Sequence, residues 1–228
     1  MRPDLARTWL LLPGLLALAA CSEQPIARVV DPPPVNGQAD AGTPTPDGGV
    51  ARSSRNNLRR KGPERLNTDF AAALSLPPEQ VCNELGQYSC ANKIHTVTLG
   101  GVEPYGSGLY EPLPASGVTS PIAVDRLALA ACARRASMDI ATPTTAVIFA
   151  GVALDASGRL ASREGPEVRA AITTLYQRGL LREPTGAETT ALVQLATDVE
   201  SSGSPQPGRD WMTAACFVVL SSAESVFF

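Results

Sequence analysis

Four cysteines, Cys82, Cys90, Cys132 and Cys216, fall in the part of this chain that carries enough apolar residues to build a core. They follow an export signal. Residues 1–20 open with Arg2 and Arg7, continue through an apolar run at 9–18 broken by Pro13-Gly14, and end in small residues. That run is too short to cross about 30 Å of hydrocarbon as a helix, and its layout is that of a secretory signal. An exported chain meets an oxidising compartment, where an even cysteine count implies disulfides. Three pairings stay open. In one, Cys132 bridges to Cys216 between two apolar helices and Cys82 to Cys90. In the other two, Cys82 and Cys90 each tie the early segment to one of the later helices. Eight positions of unbroken helix span about 12 Å, beyond disulfide reach, so a Cys82–Cys90 bridge requires Gly86 to turn the chain.

The end of the signal reads Leu18-Ala19-Ala20-Cys21. It resembles the lipobox of bacterial lipoproteins. The resemblance implies a mature chain that starts at a lipidated Cys21 and is held to a membrane by its acyl chains. Each buried methylene of such an anchor contributes about 0.8 kcal/mol. Ser22, rather than Asp, after the cysteine points to the outer membrane by the sorting habit of enterobacterial lipoproteins.

Residues 21–63 form the next unit, a lipidated cysteine followed by a tether rich in Pro, Gly, Ala, Asp and Thr. With few large apolar side chains it cannot offset the entropy of ordering, so disorder is expected. A flexible chain over 22–62 spans roughly 35 Å. Its end is basic: Arg52, Arg55, Arg59, Arg60, Lys61 and Arg65. These read as a solvated flank, or as a weak attraction to anionic head groups or acidic glycan.

Residues 64–228 suit one mainly α domain, a disulfide-stapled helical bundle. Leu66, Phe70, Ala73 and Leu74 have helical spacing ahead of Pro77-Pro78. Thr119-Ser120-Pro121 predicts a helix start with Ser120 as cap, and an Ala/Leu-rich helix to about Met138. Gly165-Pro166 opens another, with Val168, Ile172, Leu175, Tyr176 and Leu180 on one face, ending before Pro184. Thr185-Gly186-Ala187-Glu188 is a capping box for the next. Residues 209–228 read as a last helix, apolar on most of its surface and so central to the bundle. Around 147–160 the alternative is a short β-hairpin with its turn at Asp155-Ala156-Ser157-Gly158.

The stretch I-T-T-L-Y-Q-R-G-L-L-R-E-P-T-G-A-E, with the later W-M-T-A-A-C-F-V-V-L-S-S-A-E-S-V-F-F, resembles the C-terminal helical domain of planctomycete-type cytochrome-associated proteins. The matching residues are Leu175, Tyr176, Leu181, Arg182, Pro184, Thr185, Glu188, Trp211, Ser222 and Glu224. The resemblance implies a helix hairpin followed by a further helix, and partners in an envelope assembly that contains cytochromes. The chain departs from those proteins in having no C-x-x-C-H.

Several chemistries find no template. Haem attachment needs two thiols two residues apart and a following histidine. Zinc needs closer pairs than Cys82 and Cys90, with Glu84 and His95 the nearest further ligands. A redox C-x-x-C is absent, as are G-x-S-x-G, S-x-x-K, H-E-x-x-H and a phosphate loop. No cofactor or metal is expected. A net charge of −3 gives no basic balance that would favour nucleic acid. The Gly/Pro-rich loop 100–112 carries Tyr105 and Tyr110, which read as partner contacts or as anchors folded back on the bundle. The expected function is therefore a non-catalytic interaction or accessory component of an envelope complex, anchored to the membrane and bound to an envelope protein. The alternatives are an envelope hydrolase centred on His95, the single histidine, and a small-ligand or metal-binding protein.

Overall fold

Leu66, Phe70 and Leu74 recur every four residues and bury one face of the first helix, α1 (Pro63–Leu74). In the computed structural model of the protein, residues 59–112 and 118–228 are described. The signal, Cys21 and most of the tether lie outside them. Helix α1 stops three residues before Pro77. Ser75 adopts a left-handed conformation (φ 48°), and the Leu76 N–H donates to the Ala71 carbonyl at 2.9 Å. That closure satisfies the terminal carbonyls before the prolines are reached.

Two-stranded pairing occurs at β1 (Asn83–Glu84) and β2 (Tyr88–Ser89), which are antiparallel with Asn83 opposite Ser89. Leu85 and Gly86 both take positive φ, 52° and 69°, at the turn between them. Left-handed residues match the twist of a tight hairpin. The expected site at 147–160 forms only a single bridge, Leu154 with Leu160, around the turn at Asp155. Asp155 there accepts from the Ser157 and Arg159 amides at 2.8 and 3.0 Å, which closes the turn.

Helix α2 (Thr119–Ala141) begins at the Thr-Ser-Pro signal, but Ser120 does not cap it. Its hydroxyl instead donates to the Thr98 carbonyl at 2.6 Å and ties the helix to the preceding loop. Helix α3 (Pro166–Leu180) ends with Leu181 left-handed (φ 57°). Helix α4 (Gly186–Ser201) has the full capping box, Thr185 Oγ1 accepting from the Glu188 amide and Glu188 accepting from the Thr185 amide. The final apolar segment is not one helix. Helix α5 (Pro207–Leu220) stops at Ser221-Ser222, and a short α6 (Ala223–Val226) follows. The Ser222 hydroxyl donates back to the Val219 carbonyl at 2.8 Å and accepts from the Ser225 amide at 3.3 Å. A serine that offers the backbone such local bonds competes with helix continuation.

Helix α5 is the centre of the bundle, lying against α2, α3 and α4. Trp211, Met212, Ala215, Cys216 and Val219 are buried on it, and Leu127, Ala128, Ala131 and Cys132 on α2. The Trp211 indole donates to the Leu192 carbonyl of α4 at 2.9 Å. At Gly179 a methyl group would sit 3.1 Å from Leu220 and 3.2 Å from Val219, so α3 meets α5 with little room to spare. Cys132 and Cys216 are bridged with Cα atoms 5.6 Å apart, and Cys82 and Cys90 with Cα atoms 5.4 Å apart. Because the first pair lies 84 positions apart and the second 8, their restraint of the unfolded chain is about 4–5 and roughly 2.5 kcal/mol respectively.

Near the end of α2 a buried carboxylate organises the following loop. Asp139 accepts from the Val147, Ile148 and Phe149 amides, each at 3.0 Å, and pairs with Arg135 at 2.6 Å. Arg135 and Asp139 are 4% and 3% exposed, so each offsets the cost of burying the other's charge. The Asp139→Ala variant leaves three amides unsatisfied and a buried cation unpaired. It is expected to lose about 3–5 kcal/mol in urea unfolding; a loss under 1 kcal/mol would show that water replaces the carboxylate.

Candidate functional site

The residues from Cys82 to Pro112 form the most irregular part of the fold, and its shape follows from a few local bonds. The Cys82–Cys90 bridge sits at the base of the hairpin, where the Cys90 amide also donates to the Cys82 carbonyl at 3.0 Å. The chain then makes one wide turn, Cys90–Ile94, closed by the His95 amide donating to the Cys90 carbonyl at 2.7 Å. This places His95 half-buried, with Nε2 shielded and unpartnered. Burial, then the Arg126 charge, lowers its pKa, while Glu84 opposes. Burial and the Arg126 charge both favour the neutral imidazole. Arg126 and Glu84 pair directly beside it. Among the described residues no serine or carboxylate hydrogen-bonds the imidazole, and no group of three or more His, Cys, Asp or Glu converges as a metal set.

The loop that follows is built around Glu103. Its backbone bridges to Leu109, with the Glu103 and Leu109 amides each donating to the other's carbonyl at 3.0 Å. Its carboxylate accepts from the Gly106 and Ser107 amides at 2.7 and 2.5 Å. These bonds, Ser107's first, hold the carboxyl below its usual pKa. The geometry is a loop counterpart of an N-cap carboxylate gathering free amides. Tyr105 stands at the tip of this turn, 98% exposed, and Tyr110 is 76% exposed. Neither anchors the loop to the bundle. Leu85, at the tip of the neighbouring hairpin in the chain, is also exposed.

Three residues of the basic run are engaged within the domain. Lys61 and Arg65 both pair with Asp69, at 2.9 and 2.8 Å, and Arg60 donates to the Thr98 carbonyl. Residues 59–63, placed with the tether by composition, join the fold, Pro63 as the first residue of α1. Arg60 bridges Phe227, the Lys61 amide donates to the Val226 carbonyl, and the Phe228 amide donates to the Arg59 carbonyl. Arg52 and Arg55 lie outside the described residues.

Residues scattered through the C-terminal motif converge on Arg182. Its guanidinium donates to both oxygens of Glu188 at 2.9 and 2.7 Å and to both oxygens of Glu224 at 2.8–3.1 Å. It also lies 5.1 Å from the centre of the Tyr176 ring. Glu188 closes the capping box with Thr185, and Ser222 caps the helix that carries Glu224. Arg182 thus clamps the α3–α4 corner to α6. In sequence these residues look like separate helix signals; in space they are one cluster. Asp139 and the inward turn of Arg60 were not apparent from the sequence, because each acts on backbone amides or carbonyls supplied by other segments; Glu103, by contrast, accepts from amides only three and four residues ahead in its own loop, a local turn signal.

In comparison with known proteins, the chain matches no family model, no curated protein and no solved structure. Among the described residues no helix is long and apolar enough to cross a membrane.

Two predictions follow from these bonds. The Arg182 hydrogen bonds hold the Glu188 pKa down to about 2 from 4.5, and the Glu224 pKa below its usual value. A depressed carboxylate stabilises the fold fully above its unfolded pKa and loses that contribution as pH falls through its folded one. The urea midpoint should therefore fall between pH 4.5 and about 2, and Arg182→Gln should flatten that part of the curve; an unchanged slope would mean that the clamp does not hold in solution. For the tyrosine loop, Glu103→Ala should speed hydrogen exchange at the Gly106 and Ser107 amides without shifting the global melting temperature. Unchanged exchange would show that the backbone bridge alone orders the turn.

Proposed function

We propose that the protein is a membrane-anchored envelope lipoprotein, lipidated at Cys21, that serves as a non-catalytic accessory component and docks an envelope protein through the loop bearing Tyr105 and Tyr110. The observation that carries the docking assignment is Tyr105, 98% exposed on a turn whose amides are already tied by Glu103. An aromatic side chain loses little rotamer entropy on binding, and a pre-formed turn lowers the ordering cost further. A tyrosine offers both an apolar ring and a hydroxyl to a partner. The outward placement of both tyrosines favours the partner-contact reading over the anchoring one. The lipobox resemblance at Leu18–Cys21 supports the anchor, and Ser22 after it supports the outer-membrane address. The C-terminal resemblance supports an envelope assembly containing cytochromes as the setting.

The anchor is tested by mass spectrometry of the mature protein from the membrane fraction. The expected N-terminal peptide begins at Cys21 with a diacylglyceryl group; an unmodified Cys21 would sink the lipoprotein reading. Docking is tested by a photo-crosslinking residue at position 105, with Leu181, 88% exposed, as the control position. A discrete protein adduct at 105 and none at 181, weakened by Tyr110→Ala, is the expected result. Equal adducts at both positions would overturn the assignment of the loop.

A further inference from the structure

A cavity of about 320 Å³ opens where residues 59–61 meet residues 226–228 and the start of α2. Its wall is mostly apolar, with Pro121, Val124, Ala223, Val226 and Phe227, and Arg60 contributes the positive charge. Arg60 is only half satisfied. Nη2 donates to the Thr98 carbonyl at 3.0 Å, while Nη1 is shielded from water and has no hydrogen-bond partner. Among the described residues no carboxylate lies within ion-pair distance of it, although Asp125 shares the cavity wall. Burial lowers the guanidinium pKa, the direction expected of a cation short of compensation.

A partly buried cation without a counter-ion is costly, and an anion beside it removes that cost. Two further features bear on which anion fits. Helix α2 begins at this cavity, and no side chain of the described residues caps it, so its positive end adds to the attraction for an anion. Asp125 on the same wall works against a ligand of high charge. Volume and lining match those of small-molecule sites, which are chiefly apolar with a few placed polar groups. We infer that this cavity binds a small monocarboxylic acid with an apolar body, its carboxylate on Arg60 and its body against Val124, Val226 and Phe227.

The test is calorimetric titration of the full chain with octanoate, beside octan-1-ol, which lacks the charge, and acetate, which lacks the apolar body. Octanoate should bind saturably and shift the methyl resonances of Val124 and Val226, with neither control compound binding comparably. Arg60→Met should weaken octanoate by about tenfold or more, the loss of one charge-assisted contact. Val124→Phe, which fills the cavity and keeps the cation, should abolish binding. Absence of saturable octanoate binding to the unaltered protein would overturn the inference, as would octan-1-ol binding equally well, or Val124→Phe binding like the parent. The unaltered protein and the octan-1-ol arm remain decisive should Arg60→Met fail to fold.

Discussion

The close seam between α2 and α5 is the constraint around which the other helices are arranged. At their buried positions the two helices carry small side chains, Ala128, Ala131 and Cys132 on one and Ala215 and Cys216 on the other. Small residues bring the axes near enough for a disulfide to form, and the disulfide then fixes both rotation and register of the pair. Helix α5, with Trp211 and Val219 on its remaining buried surface, presents the platform on which α3 and α4 pack. A larger residue at Ala131 or Ala215 would separate the axes, strain the bridge and disturb each of those contacts, since close-packed interiors transmit rather than absorb such changes.

Much of this bundle was legible because its signals are local. Proline at the first turn of α3, the Thr185–Glu188 capping box and the four-residue spacing of Leu66, Phe70 and Leu74 all act within a few residues. Gly86 supplied the turn that a Cys82–Cys90 bridge requires. The departures have a common cause. Ser120 has the right spacing for a cap, but a carbonyl from Thr98 takes its hydroxyl. The segment 147–160 has strand-like residues, but Asp139 captures the amides of Val147, Ile148 and Phe149 before any strand can pair with them. A periodic pattern shows which face is apolar; it does not show which distant carbonyl or carboxylate competes for a given donor.

The candidate sites were less legible, for a related reason. Tyr105 and Tyr110 stand out in the sequence, but whether they face solvent depends on Glu103 closing the turn beneath them. Arg60 reads as one member of a basic run, and only the pairing of residues 59–61 with 226–228 turns it inward while Lys61 and Arg65 go to Asp69. Arg182 is the converse case. Its neighbours in sequence already mark a helix corner, and the fold adds Glu224 from more than forty residues away. A motif assembled this way serves architecture first, and its recurrence in a sequence is evidence of a shared corner before it is evidence of a shared activity.

The pairing of residues 59–61 with the last residues of the chain also has a mechanical side. The two segments run antiparallel, with the Lys61 amide on the Val226 carbonyl and the Phe228 amide on the Arg59 carbonyl. A pull arriving through the residues ahead of Arg59 acts at one end of this ribbon, while α6 holds the other strand at the opposite end. The load is then shared by both hydrogen bonds at once, in shear, instead of opening them one after another. Tension would reach α1 only after that short ribbon had slipped, so the bundle is buffered from forces applied at its own entry point.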